Sequence, residues 1–570
     1  MKLESYFSDR KLLKILCNHR ALLTKKRHDK QFFNKLVQSK MPNDTDNILY
    51  EIFPPRNQWV RIGKNKRSRI NTLNQNKIQL ENTVLKLTNG FNKSINDSWY
   101  RNLMSLLEDI KRFALSDHYH LPRPEIFAQF KKEDKSTNKK YFRPIAYYKY
   151  FDRIIISQYS KYLTDIFDSS FLDCSYAFRS SRSNKEFSHH KALDNIINYK
   201  KNHGDVWVAE CDIKKFYDSI RHDVIESIFI KRIKIMQTKG INVDERAIRL
   251  LKSYLDSYSF NKYVKLEKED QILKTNSEFE YLTEKELYQI APNHYKKTIG
   301  IPQGGAISCF IANLLMNEVD EMVINSADED LFYARFCDDM VIIHPEKSLC
   351  KKALAAYING LKKVKLIAHQ PEKADKYNSD FWNPNLKSKL PYKWSKNNVP
   401  WLSFLGYQVS HGLKVRIRKK SIEKERLKQV EVTDRVINLI KNKNINFQVS
   451  RKSIKFRLKQ RLLSMSVGRI AKFNNRPMNN DMSWCGGFRV LKTNEFVKYQ
   501  IKKLDKSRCT NLARFDNHLK KASDNRFLKK KENPIDKERF SNYYGSPFSY
   551  YEQFIKEEIG NESKNKDQLP

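Results

Sequence analysis

The sequence predicts a mixed α+β protein with helical regions at both ends, and two observations support this fold class. Between residues 140 and 410, short β-prone runs such as VWVAECDIKKFY, LFYARF and MVIIH alternate with helical stretches. Such alternation is typical of an α+β domain. On either side, residues 1–110 and 420–515 are basic and show helical periodicity.

The pattern divides the chain into four parts. We predict a basic helical extension over residues 1–110, a mixed core over 111–415, a second helical part over 416–520 and a partly disordered tail over 521–570. Within the core, residues 266–289 are locally acidic, so we expect an insertion that lies away from any nucleic-acid surface.

The net charge of the chain limits the classes of partner that it can bind. A formal net charge of +43 over 570 residues favours a polyanion, most simply nucleic acid. An acidic membrane surface is the alternative, but no apolar run approaches the roughly 20 residues of a membrane-spanning helix. The N-terminus lacks an apolar signal core, so we expect a cytoplasmic protein. The eight scattered cysteines, without a C-x-x-C pair, argue against a zinc ribbon or a disulfide framework.

Three carboxylates form the first candidate site. The run YARFCDDMVII predicts a hairpin whose tip carries Asp338 and Asp339, although acidic hairpin tips are also common in solvent. Asp212 lies at the end of an apolar strand. If it lay beside the acids of the hairpin tip, repulsion between the carboxylates would destabilise the fold unless cations neutralised the charge. Mg²⁺ suits such oxygens. Two ions roughly 4 Å apart would activate a 3′-hydroxyl and stabilise leaving pyrophosphate.

The segment TIGIPQGGAIS, residues 298–308, lies between these acids in the chain. Its two glycines precede a long helical run and allow a nucleotide or template base to approach the backbone closely. A simple turn followed by a helix N-cap is the alternative interpretation.

Together these runs resemble a known family. DIKKFYDSI, IPQGGAIS with ANLLMNEVD, and YARFCDD occur in the order of polymerase motifs A, B and C. The chain resembles bacterial reverse transcriptases of the group II intron, retron and abortive-infection branch, most of all the defence-associated enzymes, over about residues 135–415. The resemblance implies a right-hand polymerase of fingers, ferredoxin-like palm and thumb. It also implies that Asp212, Asp338 and Asp339 are catalytic ligands of Mg²⁺, or of Mn²⁺ in its place.

The same resemblance implies a nucleotide-binding set. Arg143 would contact the incoming triphosphate, and Gln303 and Gly304 would line the template–nucleotide pocket. Tyr217 matches the steric gate that favours dNTPs over NTPs. Lys373 would lie near the pyrophosphate, with a plain surface lysine as the alternative.

Further matches are less specific. Phe404, Leu405 and Gly406 match the primer grip of motif E, and Phe216 is expected in the core. In SYAFRSSRS, Arg179 and Arg182 would contact template or triphosphate, but a buried ion pair is an equal alternative for Arg179. The family usually has Tyr where this chain has Phe336, which keeps the ring and loses the hydroxyl.

Two basic segments are candidates for RNA binding. Segment 61–77 is either a solvated loop or a phosphate contact. In the helix near residues 451–465, the apolar side chains of one face are Ile454, Leu458, Leu462 and Met465. The basic side chains that we expect to bind RNA are Lys452, Lys455, Lys459 and Arg461. An ordinary amphipathic helix with a charged outer face is the alternative. A preceding helix is predicted to place on one face Ile422, Leu427, Val430, Ile437 and Ile440.

These features lead to three functional hypotheses. The first is an RNA-directed DNA polymerase that uses dNTPs and a dedicated noncoding RNA template to make DNA in antiphage defence. The second is an RNA-binding intron maturase, which would not need its acids. The third is template-independent or protein-primed synthesis. The priming hydroxyl would come from Tyr543, Tyr544, Tyr550 or Tyr551, although packing of a tail onto the body is the favoured interpretation of these tyrosines.

Overall fold

The computed structural model describes most of the chain, namely residues 1–37, 48–63, 72–89, 97–180, 186–274, 276–374, 377–378, 380–383, 386–467, 469–470, 477–479, 484–488, 490–492, 494–528 and 548. The chain divides into two compact units. Unit 1 contains residues 1–8, 108–405 and 409–413. Unit 2 contains residues 9–107, 406–408 and 414–570.

Helices account for much of the described chain. In chain order they are α1 Asp9–Val37, α2 Ile48–Glu51, α3 Thr72–Asn89, α4 Ser98–Ala114, α5 Tyr150–Phe167, α6 His189–His203, α7 Phe216–Ser219, α8 His222–Thr238, α9 Glu245–Asp256, α10 Glu269–Ile272, α11 Glu284–Ile290, α12 Ala306–Ile324, α13 Lys347–Lys363, α14 Lys419–Lys441, α15 Arg451–Val467, α16 Trp484–Gly487 and α17 Glu495–Lys521. Within the described ranges, none of these helices combines the length and apolar character that crossing a bilayer requires.

The strands are short and concentrate in the middle of the chain. They are β1 Glu125–Asp134, β2 Lys139–Tyr147, β3 Val206–Glu210, β4 Ser277–Phe279, β5 Phe332–Phe336, β6 Asp339–His344, β7 Lys389–Trp394, β8 Trp401–Phe404, β9 Tyr407–Ser410, β10 Val415–Ile417, β11 Arg469–Ile470 and β12 Pro477–Asn479. Together with the helices, they confirm the predicted α+β class.

The central sheet of unit 1 has the strand order β5-β6-β3-β7, and each neighbouring pair is antiparallel. Strands β5 and β6 form a tight hairpin in which Phe336 pairs with Asp339. On β3, Glu210 pairs with Val341 of β6. The end of β3, where the chain runs on to Asp212, therefore lies beside the hairpin turn that carries Asp338.

Helix α12 is the centre of the helical layer against this sheet. Its side chains are buried over most of its length, which explains why its sequence is apolar on nearly every face. It packs on α5 and α13, and a Cβ added at Gly360 of α13 would come 3.0 Å from the nearest atom of Val319. The glycine therefore allows the two helices to approach closely.

The acidic segment 266–289 is built into a second sheet of unit 1. Strands β1 and β2 form an antiparallel hairpin, and β4 joins β2 in parallel, with Lys140 opposite Ser277. Phe279 of β4 shares a core with Ala146, Phe260 and Val264. The insertion is thus part of the hairpin's packing.

Unit 2 contains a helical core formed by α14, α15 and α17. Its buried members include Val436, Ile437, Ile440, Ile454, Leu458, Leu462, Phe515 and Leu519. The prediction for α14 was wrong at one position, because Leu427 is 67% exposed. Leu427 follows Ile422 by five residues, which turn a helix by about 140° beyond one full turn. Leu427 therefore points away from the buried face on which Ile422 lies.

Candidate active site

Asp212 lies just beyond the end of β3, where two backbone contacts hold it. Its N–H donates to the Ser388 hydroxyl at 2.9 Å, and its carbonyl accepts from the His369 N–H at 2.8 Å. The side chain is 28% exposed. The carboxylate is therefore positioned by its backbone while remaining open to a ligand.

Asp338 lies in the turn of the β5–β6 hairpin, which a buried ion pair supports. Cys337 adopts a left-handed φ of 61°, and its carbonyl accepts from Arg335 at 3.0 Å. The Arg335 guanidinium also pairs with Asp320 at 2.7 Å, and both side chains are fully buried. Tyr333 donates to the same carboxylate at 2.8 Å. This network fixes the turn from inside the protein.

The carboxylates of Asp212 and Asp338 interact electrostatically. Burial raises the pKa of Asp338, the charge of Asp212 raises it further, and Arg143 opposes the rise. The register of β3 and β6 thus places Asp212 near Asp338, and the charge of Arg143, another predicted site residue, acts on Asp338. Asp339 starts β6 and is exposed.

This pair of acids suits a hard divalent cation. Carboxylate oxygens are the ligands that Mg²⁺ prefers, and Mg²⁺ commonly combines one or two carboxylates with substrate phosphates. Within the described ranges, no group of three or more His, Cys, Asp and Glu side chains is arranged to hold a metal ion. Asp212 and Asp338 would therefore hold such a cation together with oxygens from the substrate.

Two basic side chains beside Asp212 were not found by sequence reasoning. Lys387 Nζ lies 3.5 Å and His369 Nε2 3.8 Å from the same oxygen, Oδ2. Burial and the charge of Lys387 lower the pKa of His369 to about 4, so Lys387 is the charged neighbour at pH 7. Lys373, the lysine predicted for motif D, is exposed. The sequence carries no signal that distinguishes Lys387 from the many other lysines around it.

Tyr217 approaches the same hairpin turn. Its hydroxyl lies 3.3 Å from the sulfur of Cys337, the residue before Asp338. Burial raises the pKa of Tyr217, so the phenol is neutral. Its neighbour Phe216 is 4% exposed, which confirms the prediction that it belongs to the core.

The glycine turn before α12 is anchored to motif A and to β2. Gln303 Nε2 donates to both carboxylate oxygens of Asp218, at 2.8 and 2.9 Å. The backbone carbonyl of Gln303 accepts from the Ala146 N–H at 3.0 Å. Gly304 has a φ of 100°, which side chains rarely adopt. A Cβ at Gly305 would lie 1.8 Å from the Tyr254 hydroxyl. Both glycines are thus required by the local geometry.

Asp218 is a buried acid without a direct cationic partner in the hydrogen bonds that hold it. Burial raises its pKa to about 6, and the Gln303 hydrogen bonds and the charge of Lys215 act in the opposite direction. The bidentate contact fixes the orientation of the Gln303 amide group. The carbonyl oxygen of that amide then points away from Asp218.

The acids of segment 266–289 bind lysines close to motif A. Glu286 accepts from Lys214 at 2.6 Å, and Glu280 pairs with Lys215 and Lys132 at 2.7 Å each and with Lys131. Burial would raise the pKa of Glu280, but the hydrogen bonds from the three lysines lower it overall. This segment therefore lies against the hairpin and motif A, and its charge offsets lysines that follow Asp212.

The structure decides between the two interpretations of Arg179. Its guanidinium pairs with Asp168 at 2.6 Å, donates to the carbonyl of Leu172 at 2.7 Å and is fully buried. The ion-pair alternative is therefore correct, and the side chain cannot reach a substrate. Arg182 and the four C-terminal tyrosines proposed for priming lie outside the described residues.

The predicted primer grip forms a tight turn. Phe404 is 6% exposed, and Leu405 and Gly406 follow with φ values of 48° and 85°. Two consecutive residues with positive φ are the signature of a type I′ hairpin turn. Contact with a primer stays a prediction.

Some of the basic side chains of α15 contact other groups within unit 2. Lys455 pairs with Asp516 at 2.7 Å, and partial burial lowers the pKa of Lys459. Arg451 pairs with Asp524 at 2.7 Å and donates to the carbonyls of Leu519 and Ala522. RNA binding by this helix stays a prediction. Of segment 61–77, residues 64–71 lie outside the described residues.

The arrangement defines a class of protein. It combines a four-stranded antiparallel sheet, acids at one end of that sheet and a glycine turn before a long helix. Residues 130–409 match the family described as reverse transcriptase (RNA-dependent DNA polymerase). The middle part of the chain therefore matches the reverse transcriptase family.

Two curated proteins are similar to part of this chain. The group II intron-encoded protein LtrA of Lactococcus lactis is 26% identical over 221 residues, which are 38% of this chain and 28% of LtrA. An uncharacterized 91 kDa protein in a cob intron of Schizosaccharomyces pombe is 29% identical over 198 residues, 34% of this chain and 18% of that protein. The chain thus spans less than a third of the length of either relative.

Among solved structures, apo telomerase from Candida tropicalis, truncated from its C-terminal domain, is similar with a TM-score of 0.34. The identity is 12%, and the alignment covers 61% of this chain and 69% of that chain.

Proposed function

We propose that this chain is an RNA-directed DNA polymerase that adds dNTPs to a 3′-hydroxyl. The observation that carries the proposal is the interacting pair Asp212 and Asp338, on which the charge of Arg143 also acts, within the segment that matches the reverse transcriptase family. Two like charges held together at a strand end are expected where cations and phosphates bind.

Each side chain has a distinct task in this proposal. Asp212 and Asp338 hold Mg²⁺, or Mn²⁺, which when bound supplies Lewis-acid activation for attack of the hydroxyl on the α-phosphate. Arg143 binds the triphosphate as a charge-assisted donor. Tyr217 excludes a ribose 2′-hydroxyl. Lys387 balances the charge of Asp212.

Gln303 and Gly304 complete the proposed pocket. The Asp218 contact holds the Gln303 amide in one orientation, and Gly304 leaves room for a template base or nucleotide beside the backbone. These roles predict that the pocket reads the shape of a base pair rather than the identity of one base.

Primer extension tests the proposal. The purified chain is incubated with Mg²⁺, a primed RNA template and one dNTP at a time. We expect incorporation only of the dNTP complementary to the next template base, and weaker incorporation of the matching NTP. Addition of any dNTP irrespective of the template would replace this proposal with template-independent synthesis.

A second candidate function is that of an RNA-binding intron maturase, which the similarity to LtrA favours. The two functions separate at Asp338. A maturase acts by binding folded RNA, so Asp338→Asn would leave splicing of a cognate intron intact, whereas DNA synthesis requires the acid.

For the biological role, we propose antiphage defence with a dedicated structured noncoding RNA as template, acting in the cytoplasm. The basic helical extensions on both sides of the polymerase motifs support this role, because that pattern resembles the defence-associated enzymes. Cells that carry the wild-type gene and its flanking DNA should form fewer phage plaques than cells that carry Asp338→Asn. Equal plaque numbers, at equal protein levels, would contradict the role.

A further inference from the structure

Unit 2 contains a polar cavity far from motifs A, B and C in the chain. Its volume is about 310 Å³. The cavity is lined by two arginines, Arg56 and Arg61, by Trp59 and by four residues with carboxamide side chains, namely Asn57, Gln75, Asn76 and Gln79. Among the residues that the structure describes, no carboxylate belongs to this lining.

Two chain segments form the cavity, and they are tied together. One is the stretch around the 3₁₀ turn Arg56–Gln58, and the other is the first half of α3. The Val60 N–H donates to the Thr83 hydroxyl of α3 at 2.9 Å, and Arg56 Nη2 donates to Asn76 Oδ1 at 3.3 Å. The walls therefore keep their spacing without a ligand.

Trp59 gives the cavity a fixed wall. It is 4% exposed, its indole N–H donates to the Pro54 carbonyl at 2.9 Å, and the Arg20 guanidinium lies 5.3 Å from its ring. Arg56 and Arg61, by contrast, are exposed. A fixed aromatic wall beside exposed cationic side chains suits a charged, planar ligand.

The chemistry of the lining selects a nucleotide. Guanidinium groups without a competing carboxylate bind phosphate and stack on planar rings. Carboxamides both donate and accept, as the edges of bases require. The volume lies at the lower end of small-ligand pockets, about 300 Å³, which suits one nucleotide and excludes a duplex.

We propose that this cavity binds one unpaired nucleotide of an RNA strand. Arg56 and Arg61 hold its phosphate, and Gln75 and Gln79 bind the edge of its base. Recognition of RNA commonly uses unstacked bases of loops and bulges in this way. The inference rests on RNA as the partner in the proposed function, and it adds a contact that depends on unpaired structure.

Binding measured by fluorescence anisotropy tests the proposal. Two labelled RNAs of equal length and charge are compared, a hairpin with an unpaired loop and a fully paired duplex. We expect Gln75→Ala/Gln79→Ala to weaken hairpin binding by about tenfold, since a good base-edge contact contributes that much, and to leave duplex binding unchanged. Alanine keeps the helix propensity of α3, and circular dichroism checks the fold.

Matched controls isolate the cavity. Gln58 is exposed and lies in the same 3₁₀ turn but outside the lining, so Gln58→Ala should bind both RNAs as the wild type does. Arg56→Gln/Arg61→Gln should weaken hairpin binding and lower its salt dependence. The same change at exposed Arg101 should have a smaller effect.

Three results would overturn the inference. Equal loss of hairpin and duplex binding would mean that the glutamines act on the fold or on the backbone path of RNA. An unchanged hairpin affinity of the glutamine variant would mean that the cavity does not bind RNA. Efficient competition by free AMP at low concentration, with no preference for the hairpin, would assign the cavity to a free nucleotide. If the wild type binds neither RNA, the result contradicts RNA binding in the proposed function. A separate measurement of AMP binding would then test the cavity itself, and no binding of AMP would reject it as a nucleotide site.

Discussion

Two pairs of arginines, one pair in each unit, have opposite environments. In unit 1, Arg335 and Arg179 are fully buried, and each pairs with a buried aspartate while donating to backbone carbonyls. In unit 2, Arg56 and Arg61 are exposed and line a cavity without a carboxylate. The difference shows that burial and partners, rather than residue type, decide whether an arginine supports the fold or is available to a phosphate.

The physical reason is the cost of desolvation. A buried charge is tolerated only with a partner and hydrogen bonds, so a guanidinium that has them cannot leave to bind a ligand. An exposed guanidinium loses little water on meeting a phosphate and gains a charge-assisted contact. Substitutions in the two environments should therefore change different measured quantities.

The buried pair of unit 1 should give the largest change in stability. Arg335→Ala leaves Asp320 buried and unpaired, and we expect the free energy of unfolding to fall by about 3–5 kcal/mol. Arg249→Ala removes an exposed arginine paired with Asp117 and should cost about 0–1 kcal/mol. Denaturant unfolding compares them, and similar losses would mean that burial does not separate the two classes.

Asp218 tests burial without a direct cationic partner. Because its pKa in the folded protein is raised to about 6 from 3.8, its contribution is present below pH 3.8 and is lost as the pH rises through 6. The wild type should thus lose up to about 3 kcal/mol relative to Asp218→Asn between pH 4 and 7. Thermal unfolding across that range checks this, and a pH-independent difference would argue that Gln303 holds a carboxylate that stays ionised.

Tyr217 tests whether a largely buried side chain of unit 1 can still decide activity. Tyr217→Val should lower the preference for dNTPs over NTPs by about 10- to 100-fold, because the ring no longer blocks a 2′-hydroxyl. Tyr217→Phe keeps the ring and loses only the contact with Cys337, so it should keep the preference. The ratio of kcat/KM values measures it. If Tyr217→Phe lowered the preference for dNTPs as much as Tyr217→Val does, the selectivity would depend on the Tyr217 hydroxyl rather than on its ring.

The basic helix α15 should give the smallest change. Changing Lys452, Lys455, Lys459 and Arg461 to Gln should make the slope of log affinity for RNA against log salt shallower by about 0.7–2, since each phosphate contact contributes about 0.7. Lys455 is already paired with Asp516, so the loss should be below four contacts. The matched control changes four exposed lysines of α13, Lys351, Lys352, Lys362 and Lys363. Equal slopes for the two variants would show that α15 has no special role.

Sequence reasoning worked best where chemistry restricts residue choice. Asp212 and Asp338 were predicted because acids at a strand end and a hairpin tip need a compensating cation, and the structure brings them together. Gly304 and Gly305 were predicted to let a nucleotide or template base approach the backbone. The structure shows a positive φ at Gly304 and the Tyr254 hydroxyl against Gly305, and the approach of a nucleotide stays a prediction. Such constraints act between residues that are close in the chain, so they produce motifs that can be recognised in the sequence.

Contacts between distant segments could not be predicted. Lys387 reaches Asp212 from 175 positions later in the chain, and nothing marks it among many lysines. The pairing of Glu280 with Lys215 depends on β4 joining β2, which no run of three residues reveals. The cavity around Trp59 likewise requires two segments to meet.

The most direct test of the central claim, that Asp212 and Asp338 form the polymerising site, is the rate of template-directed dNTP addition by matched acid variants. Asp338→Asn and Asp212→Asn should each slow addition by at least about 1,000-fold, because several kcal/mol of charge stabilisation are lost. Asp330→Asn removes the same charge from a 63%-exposed side chain just before β5 and should retain the wild-type rate. If either active-site variant extends the primer as fast as Asp330→Asn, the polymerising site lies elsewhere.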